Sequence, residues 1–394
     1  MEYALINTVI GSIVTAFIFA MVAKKLKLPT IFGYLIAGVV IGPYTPGFVA
    51  DISLAKQLAE IGIILLMFGV GLHFSFSDLL DSRKIALPGA LAQMVSATVI
   101  GACLAAALGH AMLPSLIFGF SLSVASTIVL LRSLEQRNLL DSNGGKIAMS
   151  WLIVEDIAMV LALVMIPVIA DINHGHQEAS FFLIASTALS VLFKTAGFIV
   201  FMVIVGRRFL PWLLVSIAKM RSPELNTLGM LAIALGFASI AYAVFNASLA
   251  LGAFLAGVML NESEIGKKSA ESTLPLRDVF SVLFFVSVGM LFDPATLLRH
   301  PVPVIFTCII IVLAKGAVAL LITNAFGMTK SAGYAVAIGL SQIGEFSFIL
   351  GGLALSKGLI PDMLYNLILA GAMLSIVINP FLFRAYDVRF GKKA

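Results

Sequence analysis

Ser150-Trp151-Leu152-Ile153-Val154-Glu155-Asp156-Ile157-Ala158-Met159-Val160 sets two adjacent carboxylates in a run that is otherwise apolar and stays nearly so to Ala170. A run of that length and character is a membrane-spanning helix. An ionised carboxylate in hydrocarbon costs several kcal/mol even on the mild insertion scales, and two side by side repel each other. The helix can carry the pair only where a buried cation, a proton or a passing ion compensates it.

The rest of the chain matches that stretch. Of 394 residues, 60% are hydrophobic and 11% charged, which excludes a soluble globular protein, where charged residues approach a quarter. The 33 Gly and 14 Pro are at home in membrane helices. Cys103 and Cys308 both lie in apolar segments, as small hydrophobes with no metal or disulfide pattern. The net charge of +5 follows topology and implies no nucleic-acid partner.

Apolar segments predict thirteen spans, near 3–23, 30–46, 54–73, 85–109, 113–133, 147–170, 180–206, 224–242, 247–261, 275–292, 300–323, 331–356 and 361–383. Basic residues orient them. With the N-terminus outside, twenty Lys and Arg fall in inner loops and only Lys56, Arg299 and Lys357 outside, while Lys194 and Lys315 lie within spans. An even count would spoil this bias, so the C-terminus is inside. The first span is followed, not preceded, by its positive cluster, which marks a retained helix rather than a signal peptide. No soluble domain is evident.

Two halves of the chain resemble each other at an offset of 218–220 residues. Leu65–Phe74 aligns with Leu283–Phe292, and Phe32–Val39 with Leu251–Val258. Seven spans separate the copies, an odd number, so they face opposite ways across the membrane. Inverted repeats of this kind mark secondary transporters, with sites at the repeat interface near the midplane. The same offset pairs Gly119–Thr127 of span 5 with Gly339–Ser347 of span 12, both rich in small and hydroxylic residues. Such residues loosen a helix and suit two broken, crossing helices that offer carbonyls and half-helix ends to ions. The plainer alternative is tight packing through small residues.

Asp156 lies ten residues beyond Lys146, about 15 Å, and Lys315 lies nine residues before Asn324, about 13–14 Å, so both reach a similar depth. Lys315 is too central to snorkel easily. Glu155 and Asp156 point about 100° apart, so Glu155 is expected to meet Lys315 while Asp156 faces the ion path. A static ion pair would need only one acid. Glu345 and Gln342 are placed to complete the polar core, with Ser341 beside them. Glu60 either lines an outer vestibule or pairs with Lys56. Lys194 is not assigned to the site, His73 reads as a surface histidine, and His174 and His176 form at most a weak metal tract.

Val154-Glu155-Asp156-Ile157-Ala158, Leu340-Ser341-Gln342-Ile343-Gly344-Glu345-Phe346, Val288-Gly289-Met290-Leu291-Phe292 and Lys315 together resemble the membrane domain of the monovalent cation:proton antiporters, in the branch of Kef-type potassium efflux systems and Nha-type sodium/proton exchangers. The resemblance covers essentially the whole chain. It implies an all-α integral membrane transporter domain over 1–386 and a cytoplasmic tail over 387–394. It implies a scaffold and dimer bundle at about 1–75 and 224–292, a linker helix at about 180–206, and an ion-carrying core at about 85–170 and 300–386. By that likeness Asp156 alternately takes a cation and a proton, Glu155 and Lys315 are the companion acid and its lysine, and Ser126 and Thr127 lie in the unwound stretch of span 5. The implied partners are K+ or Na+, protons, the lipid bilayer of a bacterial inner membrane and a second copy of the chain, with no cofactor, no resident metal and no enzymatic activity. Kef-type members often place Gln before the aspartate and sodium exchangers Asp; Glu155 is neither, so ion choice and charge stoichiometry stay open. The nucleotide-binding domain that follows the membrane part in Kef systems is not seen, which reads as a truncated chain or an unregulated relative. A sodium-coupled organic-anion symporter would need a cationic or polar pocket, and the spans hold no spare arginine; a gated cation channel would need a continuous pore, usually with a repeated filter sequence, and none is visible.

Overall fold

The computed structural model describes the chain apart from residues 1–3, 47–49, 74–75, 141, 174–188, 191–192, 195, 221, 246, 248, 262–273 and 391–394. The described residues are helical with no strand. In chain order the helices are α1 (Ala4–Lys25), α2 (Thr30–Ile41), α3 (Ile52–His73), α4 (Phe76–Ala107), α5 (Met112–Ser121), α6 (Thr127–Glu135) and α7 (Asn143–Asn173). There follow α8 (Arg207–Lys219), α9 (Pro223–Phe245), α10 (Leu249–Asn261), α11 (Leu274–Met290), α12 (Ala295–Arg299), α13 (Pro301–Ile309) and α14 (Lys315–Ala325). The last are α15 (Lys330–Leu340), α16 (Glu345–Ser356) and α17 (Asp362–Phe390). Turns of π-helix, Met202–Gly206 and Ile310–Ala314, lead into α8 and α14.

Among the described residues eight helical stretches are long and apolar enough to cross a membrane. Shorter apolar helices, Thr30–Ile41, Met112–Ser121 and Leu251–Asn261, lie where three of the other spans were expected. The 12 residues of α2, for example, rise about 18 Å. The span read near 180–206 begins outside the described residues, and its helix continues as an apolar stretch over Ala196–Ile217. The surface differs from that of a protein that lives in water, while the interior is apolar with a few buried charges. Large hydrophobics such as Phe17, Val95, Leu235 and Ile305 are exposed, whereas Glu155, Lys315 and Glu345 are buried. That distribution fits a solvent of lipid tails.

The chain divides into two compact units. The first holds residues 1–20, 33–75 and 167–291. In it α3 packs against α10 and α11, and α9 against α10. Two crossings let backbones touch. A Cβ on Gly71 would strike the Phe254 carbonyl, and one on Gly257 the Phe68 carbonyl. Likewise Gly38 abuts the Val286 carbonyl and Gly289 that of Leu35. Small residues permit such close approach, which is how membrane helices gain dispersion energy where lipid offers no hydrophobic drive.

The second unit holds residues 21–32, 76–166 and 292–394. In it α4 packs on α5 and α14, α15 on α6 and α14, and α17 on α13, α15 and α16. An apolar cluster including Leu130, Leu134, Trp151, Leu152, Val336, Leu340 and Phe383 packs these helices together. Its neighbours in sequence carry the polar residues that follow.

Candidate functional site

The site begins where two helices stop early. α5 ends at Ser121, and α6 starts only at Thr127. The hydroxyls explain the break: Ser121 Oγ donates to the Ile117 carbonyl at 2.8 Å and Ser123 Oγ to the Phe120 carbonyl at 2.7 Å, competing for helix acceptors. Ser126 then caps α6, its carbonyl accepting from Leu130 N–H at 3.1 Å and its hydroxyl from Val129 N–H at 3.3 Å.

The second break is similar. α15 ends at Leu340, where Ser341 Oγ donates to the Ala337 carbonyl at 2.7 Å. α16 starts at Glu345, a carboxylate in the first turn, where the helix dipole favours it. Between them Gly344 meets the other break: a Cβ there would overlap Ser126 Cβ.

Backbone groups freed by the breaks are satisfied by side chains from elsewhere, as buried backbone must be. Gln342 reads both sides of Ser126, its Oε1 accepting from Ser126 N–H at 3.0 Å and its Nε2 donating to the Ser126 carbonyl at 3.0 Å. Ala125 N–H donates to Glu155 Oε2 at 2.8 Å. Gln93 Nε2 donates to the Ser123 carbonyl at 3.0 Å, and Lys315 Nζ to the Gln342 carbonyl at 3.2 Å. Each break thus has one carbonyl held by a nitrogen from a preceding helix, neutral in the first case and cationic in the second.

The acids converge here. Thr127 Oγ1 donates to Asp156 Oδ2 at 3.1 Å, and Ser126 Oγ to Glu345 Oε2 at 2.7 Å. Glu155 and Glu345 are 0% exposed, Asp156 5% and Lys315 1%. Glu155 and Glu345 both act electrostatically on Asp156, and Lys315 on Glu155. Three buried carboxylates therefore face one buried ammonium. Asp156 Oδ1 and Glu155 Oε1 are buried with no hydrogen-bond partner.

The family profile described as the sodium/hydrogen exchanger, transmembrane, matches residues 13–386. The chain belongs to the sodium/hydrogen exchanger family. An exchanger is a transporter, not an enzyme. Among its relatives, a putative cation/proton antiporter, YbaL, of Escherichia coli is 50% identical over 98% of this chain and 69% of its own length. The K(+) efflux antiporter 4 of Arabidopsis thaliana is 31% identical over 90% of this chain and 59% of its own. In three dimensions the sodium proton antiporter MjNhaP1 of Methanocaldococcus jannaschii superposes with a TM-score of 0.73 at 15% identity, covering 99% of both chains. At that identity the likeness establishes the fold.

In this exchanger-family chain, Asp156, Glu155, Thr127, Ser126, Lys315, Gln342, Glu345 and Ser341 all fall in the second unit, around the two breaks. The expected Lys315–Glu155 contact takes another form. The two act on each other through space, while the hydrogen bond of the ammonium goes to the Gln342 carbonyl, which the break leaves open. Glu60 is exposed and, like Lys194, belongs to the first unit. The side chains of Lys56 and His73, and all of His174 and His176, lie outside the described residues.

Three supporting residues went unnoticed in the sequence. Besides Gln93, Asn379 Nδ2 donates to the Ile338 carbonyl at 2.7 Å, and Ser375 Oγ accepts from Ile343 N–H at 3.4 Å. An uncharged amide in an apolar span, as in Leu91-Ala92-Gln93-Met94, is the signal that could have found Gln93 and Asn379.

Proposed function

We propose that the chain is a secondary active antiporter that exchanges a monovalent cation, potassium first and sodium next, for protons by alternating access, with the two competing for Asp156. The observation that carries this is the charge count at the breaks. Three acids and one lysine cannot all be ionised in a dry core without a further positive charge. Asp156 Oδ1 is the open acceptor where that charge would bind. Protons and alkali ions are both small enough to serve, and a hard cation would find carboxylate and hydroxyl oxygens there, from Asp156 and Thr127. Either occupant neutralises the site enough for it to move; empty and charged, it would be costly to carry across. That penalty couples the fluxes.

The names of the Escherichia coli and Arabidopsis relatives support cation/proton exchange, and the latter favour potassium. In this reading thirteen spans cross a bacterial plasma membrane from an outer N-terminus, spans 5 and 12 are the broken and crossing pair, and the second unit carries the ion while the first is scaffold and dimer face. The two glycine crossings support the inverted repeat, because Gly71 and Gly38 map by the repeat offset onto Gly289 and Gly257.

The test is exchange in inverted vesicles loaded with a pH dye. After a proton gradient is imposed, potassium, sodium, lithium and rubidium are added in turn. Dequenching by one cation, abolished in Asp156→Asn, is the expected result. Undiminished flux in that variant would remove Asp156 from the mechanism.

A further inference from the structure

We propose that Trp151 is a positioning residue of the ion site, its indole N–H being the donor that Glu155 engages at Oε1 when ionised and releases when neutralised. The proposal deepens the antiport reading and rests on it. Trp151 lies four residues before Glu155 on α7, so the two share a helix face one turn apart. Trp151 is fully buried, and its Nε1 has no hydrogen-bond partner. The Oε2 of Glu155 is taken by Ala125 N–H, while its Oε1 is buried and open. The Trp151 side chain is near enough to that carboxyl to act on it as a hydrogen-bond donor, short of full bonding geometry. A buried donor thus lies within reach of a carboxyl that has one buried oxygen open.

Gly89 of α4 holds the ring there, since any Cβ at that position would run into it. Leaving a buried donor and a buried acceptor both open is costly, and a small shift joins them. A carboxylate accepts at both oxygens, whereas a carboxyl protonated at Oε1 presents a hydrogen to the indole hydrogen. The indole therefore favours the ionised form. Other charged groups act in the same place: Lys315 from α14 on Glu155, Asp156 from the same helix, and Glu345 from α16 on Asp156. By favouring the charged form of Glu155 opposite Lys315, Trp151 lowers the pH at which the site opens to a cation.

The chain has two tryptophans, and the other, Trp212, is 62% exposed, so Trp212→Phe leaves Trp151 as sole reporter. Ultraviolet resonance Raman spectra of that purified protein should show the indole N–H band moving to its strongly bonded position as pH rises. In Trp212→Phe/Glu155→Gln the band should stay fixed. Trp151→Phe keeps the ring and loses the donor; its exchange profile should move to higher pH by about one unit. A band that does not titrate, one that titrates equally in the Glu155→Gln protein, or an unmoved profile in folded Trp151→Phe would overturn the proposal. If Trp151→Phe fails to fold, the Raman arm decides. Failure of the antiport reading shows separately, as exchange surviving in Asp156→Asn, because the Raman arm involves no transport.

Discussion

Replacing Gln342 by Leu removes three bonds at once: to Ser126 N–H, to the Ser126 carbonyl and to the Gly339 carbonyl at 3.1 Å. The costs are unequal. The Ser126 carbonyl keeps its helix partner, Leu130 N–H. The buried Ser126 N–H is left with nothing, and the Gly339 carbonyl loses the amide. A buried backbone group left open costs about 1–3 kcal/mol, so the two give about 2–6 kcal/mol together. That is a large part of a typical stability of about 5–15 kcal/mol. At about 2 °C per kcal/mol, the unfolding midpoint of the detergent-purified protein should fall by about 4–12 °C. Exchange should also fail, because Ser126 and Thr127 hold the two acids that face the break. Gln342→Glu keeps an acceptor for Ser126 N–H and should lose less stability than Gln342→Leu. Thermal unfolding followed by size exclusion, with vesicle exchange on the same preparations, reads both. A Gln342→Leu protein with the parent midpoint and full exchange would refute the claim that this amide ties the two breaks together.

Gly344→Ala should abolish exchange, since its Cβ needs the space of Ser126 Cβ, and should cost about 1–3 kcal/mol in overpacking, read by the same two assays. Lys315→Met should destabilise by about 3–5 kcal/mol because it leaves Glu155 buried with no cation opposite; Lys315→Met/Glu155→Leu should regain part of that in thermal unfolding. Asp51, outside the spans at the start of α3, accepts from Leu54 N–H at 3.1 Å and Ser53 N–H at 2.8 Å; the Leu54 bond first, then the Ser53 side chain and backbone, hold its carboxyl below the usual range. A depressed carboxyl contributes stability above its ordinary value of 3.8 that is lost as pH falls through the folded one. Asp51→Ala should therefore lower the unfolding midpoint at neutral pH, and the difference from the parent should shrink in acid.

The legible part of this site was charge. Glu155, Asp156 and Lys315 stand out because lipid makes an ionised side chain expensive, and Ser126, Thr127, Gln342 and Glu345 stand out because the repeat offset sets two polar stretches side by side. Depth was legible too, at 1.5 Å per residue. Azimuth was not. The π-turn Ile310–Ala314 sits immediately before Lys315 and changes the angle at which that side chain leaves its helix, which a count of 100° per residue cannot foresee. Hence the hydrogen bond of the lysine to the Gln342 carbonyl was not anticipated. Gln93, Ser375 and Asn379 stayed hidden because an uncharged polar residue in a span reads as packing until the backbone group it serves is known.

The most direct test of the central claim is proton release on cation binding. Purified protein in weakly buffered detergent, held at a pH where exchange is active, is titrated with potassium and then sodium while a dye follows free protons. Competition at one carboxylate predicts protons released in proportion to cation bound, and neither binding nor release in Asp156→Asn. Saturable cation binding with no proton released, or release undiminished in Asp156→Asn, would contradict it.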